Sequence, residues 1–171
     1  MSEKPLIFIS HSSRDGELAN VLKEQLELLI DVDIFETSDP KAIPPSEEWL
    51  KAITQKLDKA EALIVIVSPN SLESTWVHWE LGYFYKRNAS TTQDLKVFVG
   101  TVAGQPPFPS IQDKQVKSLN DNNELKFFLE NIAKHFEQTL SDGHLDKAVD
   151  KIMIVAPLHV SDDSAVEKLR D

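Results

Sequence analysis

The residues Ala62-Leu63-Ile64-Val65-Ile66-Val67 form an unbroken apolar run. A strand with one wet face alternates apolar and polar side chains, so a run without polar interruption predicts a strand covered on both faces, as at the centre of a parallel sheet. Two covered faces need helices on both sides, and the flanking pattern supplies them. Positions 5 to 10 read as a short apolar strand. From about Arg14 to Ile30, residues Leu18, Val21, Leu22, Leu26 and Leu29 share one helix face, with Ser12 or Ser13 available as N-cap. Val32 to Phe35 reads as a second strand, and the segment from Glu36 to Pro45, with three prolines, as a loop. Trp49, Ile53 and Leu57 then recur at steps of four, after Glu47 and Glu48 in the favoured acidic first turn. A helix carrying Glu80 runs to about Lys86, and a strand spans Leu95 to Val99.

Beyond that strand the pattern is weaker. Residues 104–109 read as a loop, Val116 to Leu119 as a short edge strand, and Leu125, Phe128, Leu129, Ile132 and Phe136 mark a helix. Strand and helix in alternation predict an α/β fold, a doubly wound (flavodoxin-like) parallel sheet with right-handed crossovers and helices on both faces. A chain of 171 residues has room for one domain, or one domain and a tail. The domain is expected over residues 4–140, with 141–171 as a C-terminal extension that leaves a further domain open. Within the extension, Leu145 to Met153 suits a helix, and Ile154-Val155-Ala156-Pro157 a strand or linker.

Composition narrows the function. The net charge of −10 argues against direct nucleic-acid binding, which needs clustered Lys and Arg. No apolar stretch is long enough to cross a bilayer, so no membrane partner is expected. The absence of cysteine excludes disulfides and thiol nucleophiles. Residues 1–5 lack the basic flank and apolar core of a signal peptide, and a cytoplasmic location is expected. The turn after the first strand, Ser10-His11-Ser12-Ser13-Arg14, has neither the glycines of a dinucleotide fingerprint nor the Gly and Lys of a P-loop. A phosphoryl-accepting receiver would need an Asp after the third strand, where Ser68 stands.

Three segments remain to be explained: Phe8-Ile9-Ser10-His11-Ser12, Ile43-Pro44-Pro45-Ser46-Glu47-Glu48-Trp49, and Ser68-Pro69-Asn70-Ser71 followed by Trp76-x-x-x-Glu80. In this order and spacing they resemble the boxes of a Toll/interleukin receptor (TIR) domain of the bacterial kind, over roughly residues 4 to 137. Ser46 stands where many relatives have Gly. A retained positive φ would strain it by about 1 kcal/mol. The reading preferred here makes Ser46 the N-cap of the Trp49 helix.

TIR domains either associate as adaptors or cleave NAD at the nicotinamide-ribose bond. One carboxylate suits that cleavage, because cationic nicotinamide leaves as a neutral molecule and needs no general acid, unlike the leaving group of ordinary glycosidases. The resemblance implies an NAD+ glycohydrolase, with NAD+ as substrate and no cofactor, giving ADP-ribose or a cyclic isomer in a stress or anti-phage response. It implies that catalytic Glu80 contacts the nicotinamide ribose, that Phe8, Trp76 and Trp79 lie near the pocket, and that Ser10 and His11 line its mouth. Trp49 joins this substrate-binding set. Position alone adds Ser13 and Arg14, as phosphate contacts at a helix N-terminus.

Plainer readings stand beside these. Glu80 could be a solvated residue on an exposed helix, Trp76 and Trp79 core or interface aromatics, Phe8 core first and His11 a hydrogen-bonded turn residue. His78 lies two residues from Glu80 and faces away, and His135, His144 and His159 have no ligand spacing, so no metal is implied. The alternative functions are a TIR module that self-associates through TIR-TIR contacts and the loop from Glu36 to Ser46, and an enzyme resembling nucleoside deoxyribosyltransferases.

Overall fold

The computed structural model describes residues 3–37 and 46–156. Five parallel strands make one sheet: β1 (Leu6–Ser10), β2 (Asp33–Thr37), β3 (Ala62–Val67), β4 (Lys96–Thr101) and β5 (Val116–Ser118), in the spatial order β2-β1-β3-β4-β5. This is the doubly wound, flavodoxin-like α/β arrangement. The helices are α1 (Gly16–Leu29), α2 (Glu47–Lys59), α3 (Thr75–Ala89), α4 (Asn122–His135) and α5 (Asp142–Val155).

The apolar run of β3 is buried at every position, and its alternation divides the core in two. Ala62, Ile64 and Ile66, with Ile7 and Ile9 of β1, pack against α1, α4 and α5. Leu63, Val65 and Val67, with Phe8, pack against Ile53 and Leu57 of α2 and Val77, Leu81 and Phe84 of α3. Each face is sealed by helices, so neither needs polar positions. Among the described residues, no helix is long and apolar enough to cross a membrane.

Several boundaries move from their sequence positions, for local reasons. β2 starts one residue late and runs on to Thr37, because Phe35 and Glu36 pair with Phe8 and Ile9. Glu36, expected in a loop, is therefore a strand residue; residues 38–45 of that loop lie outside the described residues. Ser12 caps a 3-10 turn at Ser13–Asp15, its Oγ accepting from the Arg14 N–H, and α1 begins only at Gly16. Asp15 holds the N-cap position of α1 but makes no side-chain cap bond. Its carboxylate is engaged elsewhere. β4 is shifted to end at Thr101, and Gly100 within it is required by packing, since a Cβ there would lie 2.8 Å from the Leu119 side chain.

Ser46 takes the preferred conformation. Its φ is −65° and its Oγ accepts the Trp49 N–H at 3.2 Å, so it caps α2 and carries no left-handed strain. At the C-terminal end, α5 buries Leu145, Ala148, Val149, Ile152 and Val155 in the same core as α1 and α4. Ile154 and Val155, read as strand or linker, are the last turn of that helix; Pro157 lies outside the described residues.

Candidate active site

Strand order 2-1-3-4-5 reverses the winding direction between β1 and β3. β1 connects through α1 on one face and β3 through α3 on the other, so their outgoing loops part above the carboxyl edge and leave a crevice, the usual ligand position in such sheets. Ser10 is the last residue of β1, and Glu80 lies on the second turn of α3. The Ser10 hydroxyl donates to Glu80 Oε1 at 3.1 Å.

Both side chains are fully buried. This corrects the picture of a carboxylate on a solvated helix face. Burying a carboxylate costs several kcal/mol unless hydrogen bonds and charges offset it, so its retention inside a packed domain is a mark of use. Val77, Leu81 and Phe84 are the other buried residues of α3, and Ser74 caps the helix by accepting the Val77 N–H at 3.2 Å.

The other expected residues fall into three groups. The first is aromatic. Trp76 has its ring 4.8 Å from Trp49 of α2 and 4.7 Å from Trp79, nearly parallel to the latter, and Trp79 leads on to Tyr83 at 5.6 Å. This row closes the seam between α2 and α3. At its end the Tyr83 hydroxyl donates to Asp58 at 2.7 Å, a bond that raises the phenol above its ordinary value. Phe8 is wholly buried, 5.4 Å from Phe35, and belongs first to the core. Trp76 Nε1 is buried and meets no acceptor among the described residues.

The second group corrects the expectation for Ser10 and His11. Neither lines an open mouth, because both are fully buried. His11 Nε2 lies 2.6 Å from Glu36 Oε2 and Nδ1 lies 2.7 Å from the Ser12 carbonyl. An oxygen atom faces each ring nitrogen, and the tautomer decides which nitrogen donates, so the ring is held on both sides as a hydrogen-bonded turn histidine. Glu36, read as loop, is its partner because β2 is longer than its apolar run.

The third group is Ser13 and Arg14. With Ser12, Asn70, Glu73 and Ser74 they line a pocket of about 240 Å³ at the same edge. Their backbone does not offer the expected helix N-terminus: the Arg14 N–H bonds Ser12 Oγ and the Asp15 N–H bonds the Ser12 carbonyl. An anion there would meet side chains. Another concavity among the described residues, about 710 Å³, opens at the opposite, amino edge among Lys4, Asp33, Lys56 and Arg87. There the Arg87 guanidinium bonds the Leu57 and Ala60 carbonyls at the end of α2, a structural use. Among the described residues no group of His, Asp and Glu is placed to hold a metal ion.

The sequence reading missed Asp15. It is fully buried, accepting from the Ser68 hydroxyl and, at 3.1 Å, from the Asn70 amide. An acidic residue just before an apolar helical pattern is an N-cap signal, and Ser12 and Ser13 had drawn that assignment instead.

Residues 7–136 match the family model of the TIR domain. The chain is 33% identical over 81 residues to the probable 3' cyclic ADP-D-ribose synthase ThsB' of Bacillus cereus (strain MSX-D12), a match over 46% of this chain and 42% of that protein. It is 31% identical over 142 residues to the uncharacterized protein YddK of Bacillus subtilis (strain 168), over 80% of this chain and 51% of that one. The chain thus spans about half the length of these curated relatives, or less. Among solved structures, the TIR domains of the activated Roq1 resistosome align at 16% identity with a TM-score of 0.44, over 89% of this chain and 83% of that one.

Proposed function

Because the chain belongs to the TIR domain family, we propose that it cleaves NAD+ at the nicotinamide-ribose bond, with Glu80 as the catalytic carboxylate. The observation that carries this reading is the wholly buried Glu80, at the crevice between β1 and β3, with Ser10 donating to its Oε1. In a site withdrawn from water, a fixed negative charge acts strongly on a developing positive one. The C1′–N bond breaks, its electron pair goes to the nicotinamide ring nitrogen, and neutral nicotinamide leaves. Positive charge grows on the ribose, where Glu80 stabilises it. Either water attacks C1′ and loses a proton, giving ADP-ribose, or an atom of the same molecule attacks, giving a cyclic isomer. The name of the Bacillus cereus relative supports the cyclic outcome.

In this scheme Ser10 orients Glu80, the aromatic row of Trp49, Trp76 and Trp79 and the ring of Phe8 form the apolar wall, and Ser13 and Arg14 receive the phosphates in the pocket beside Asn70. The reaction needs no cofactor, since the nicotinamide ring of the substrate is already cationic and leaves as a neutral molecule. A role in stress or anti-phage signalling, on the cytoplasmic NAD pool, follows from the resemblance. So does self-association through TIR-TIR contacts and the residue 36–46 loop, which would make specific activity rise with protein concentration.

The test is incubation of concentrated protein with NAD+, with nicotinamide and the nucleotide product separated by chromatography. Nicotinamide release by wild type and its loss in Glu80→Gln is the expected result. Wild type that releases none, or Glu80→Gln that matches it, overturns the reading. A deoxynucleoside in the same assay, cleaved in preference to NAD+, would favour the deoxyribosyltransferase-like alternative.

A further inference from the structure

The pairing of β1 with β3 ends at Ser10 and Val65, just where the loops to α1 and α3 part. Asp15 spans that gap. It reaches from the end of the first loop into the turn at 68–71, which leads through Ser74 into α3 and Glu80. The Ser68 hydroxyl already accepts the Asn70 and Ser71 backbone N–H groups, each at 3.2 Å. Its own proton therefore has one use, the bond to Asp15 Oδ2. Asp15 Oδ1 takes the Asn70 amide at 3.1 Å. Ser71 closes the turn from the other side, accepting the Ser68 N–H and donating to the Ser68 carbonyl, both at 2.9 Å. Ser68, Ser71 and Asp15 are all buried, so the network is screened little by water.

We infer that Asp15 is a positioning residue for Glu80: its carboxylate, held by Ser68 and Asn70, locks the loop that carries Ser10 to the loop that launches α3. The inference rests on the reading of Glu80 as the catalytic group. One loop supplies the hydroxyl that orients the carboxylate and the other sets the start of the helix that bears it. A shift of about 1 Å between such partners costs on the order of 100-fold in rate.

The polarity of the Asp15–Asn70 contact gives a test that general weakening of the fold would not mimic. Asn70→Asp sets a carboxylate against that of Asp15 and should lower kcat for nicotinamide release by roughly 10- to 100-fold. Asp15→Ala, which strands both donors, should do the same with KM for NAD+ within about threefold of wild type. Asp15→Asn alone should be mild, because the Asn70 amide can turn over and accept. The double variant Asp15→Asn/Asn70→Asp restores one acceptor facing one donor, and should return kcat at saturating NAD+ to within about threefold of wild type, while the carboxylate left in the pocket of Ser13 and Arg14 raises KM. Thermal melts on each variant, with kinetics run well below the lowest melting temperature, separate loss of fold from loss of alignment. Wild-type kcat in both Asn70→Asp and Asp15→Ala, or a double variant no better than Asn70→Asp, overturns the inference alone. A wild type that releases no nicotinamide overturns the reading of the site, and this inference with it.

Discussion

Glu80 and His11 show two ways in which one buried side chain is held at the carboxyl edge. Glu80 takes a neutral hydroxyl bond at Oε1, from Ser10, whereas His11 has an oxygen atom at each ring nitrogen. Burial of Glu80 changes how its removal should be read, since Glu80→Ala would leave both a cavity and the stranded Ser10 hydroxyl. Glu80→Gln keeps shape and hydrogen bond and removes only charge, so it should cut nicotinamide release by about 100-fold or more. The same variant should melt at or above the wild-type temperature, because active-site charges are commonly held at a cost to stability. His11 makes the opposite prediction. In Glu36→Ala its Nε2 loses its partner inside the core, which should lower stability by about 1–3 kcal/mol in a urea titration. An unchanged midpoint would mean that water takes over at the partly exposed Glu36 side. At this scale the sequence yielded Glu80 through its spacing from Trp76, but not its burial, which depends on a hydroxyl 70 positions away. Asp15 was hidden for the same reason: its partners are on another loop.

At the scale of elements, the legible parts were those whose signal is local. The continuous apolar run of β3, the one-face periodicity of α1 and the cap of α2 can each be read within a few residues, and the structure contains all three. Strand ends were less legible. Glu36 is polar and follows a short apolar run, yet strand pairing with Ile9 keeps it extended. The cap of α2 gives a prediction that separates two backbone states. With Ser46 at φ −65° and its hydroxyl on the Trp49 N–H, Ser46→Ala should destabilise by about 0.5–2 kcal/mol and Ser46→Gly by only a few tenths. Stabilisation by Ser46→Gly, measured by thermal melt, would instead mark a strained left-handed residue. The cap also fixes where α2 begins, and so where Trp49 meets Trp76 across the α2–α3 seam.

Across the whole molecule, the sheet divides the core into two layers of unequal make-up. The layer under α2 and α3 holds Phe8, Leu63, Val65 and the aromatic row, close to the candidate site. The layer under α1, α4 and α5 is aliphatic apart from Phe128 and the partly buried Phe98 and Phe136 at its margin, and lies on the far face. Its third helix was only half legible. Leu145, Ala148, Val149 and Ile152 have helical spacing, but the run at 154–157 reads as a strand or linker, and the family match ends at residue 136. Packing settles it, since α5 packs on α1 and its Leu145, Val149 and Ile152 share one buried cluster with Leu18, Leu22 and Leu26. Each such aliphatic side chain contributes about 1.5–3 kcal/mol on burial. Whole domains are stable by only about 5–15 kcal/mol. Removing α5 therefore strips side chains and uncovers those of α1 at once, a loss comparable to the entire margin. A chain cut after Leu140 should accordingly lose its cooperative melt or aggregate, whereas one that melted like the full chain would make α5 an appendage. If the cut chain stays folded but melts lower, NAD+ cleavage below its melting temperature should persist, because the bonds that join Ser10 to Glu80 and Asp15 to Ser68 and Asn70 all lie well before the cut.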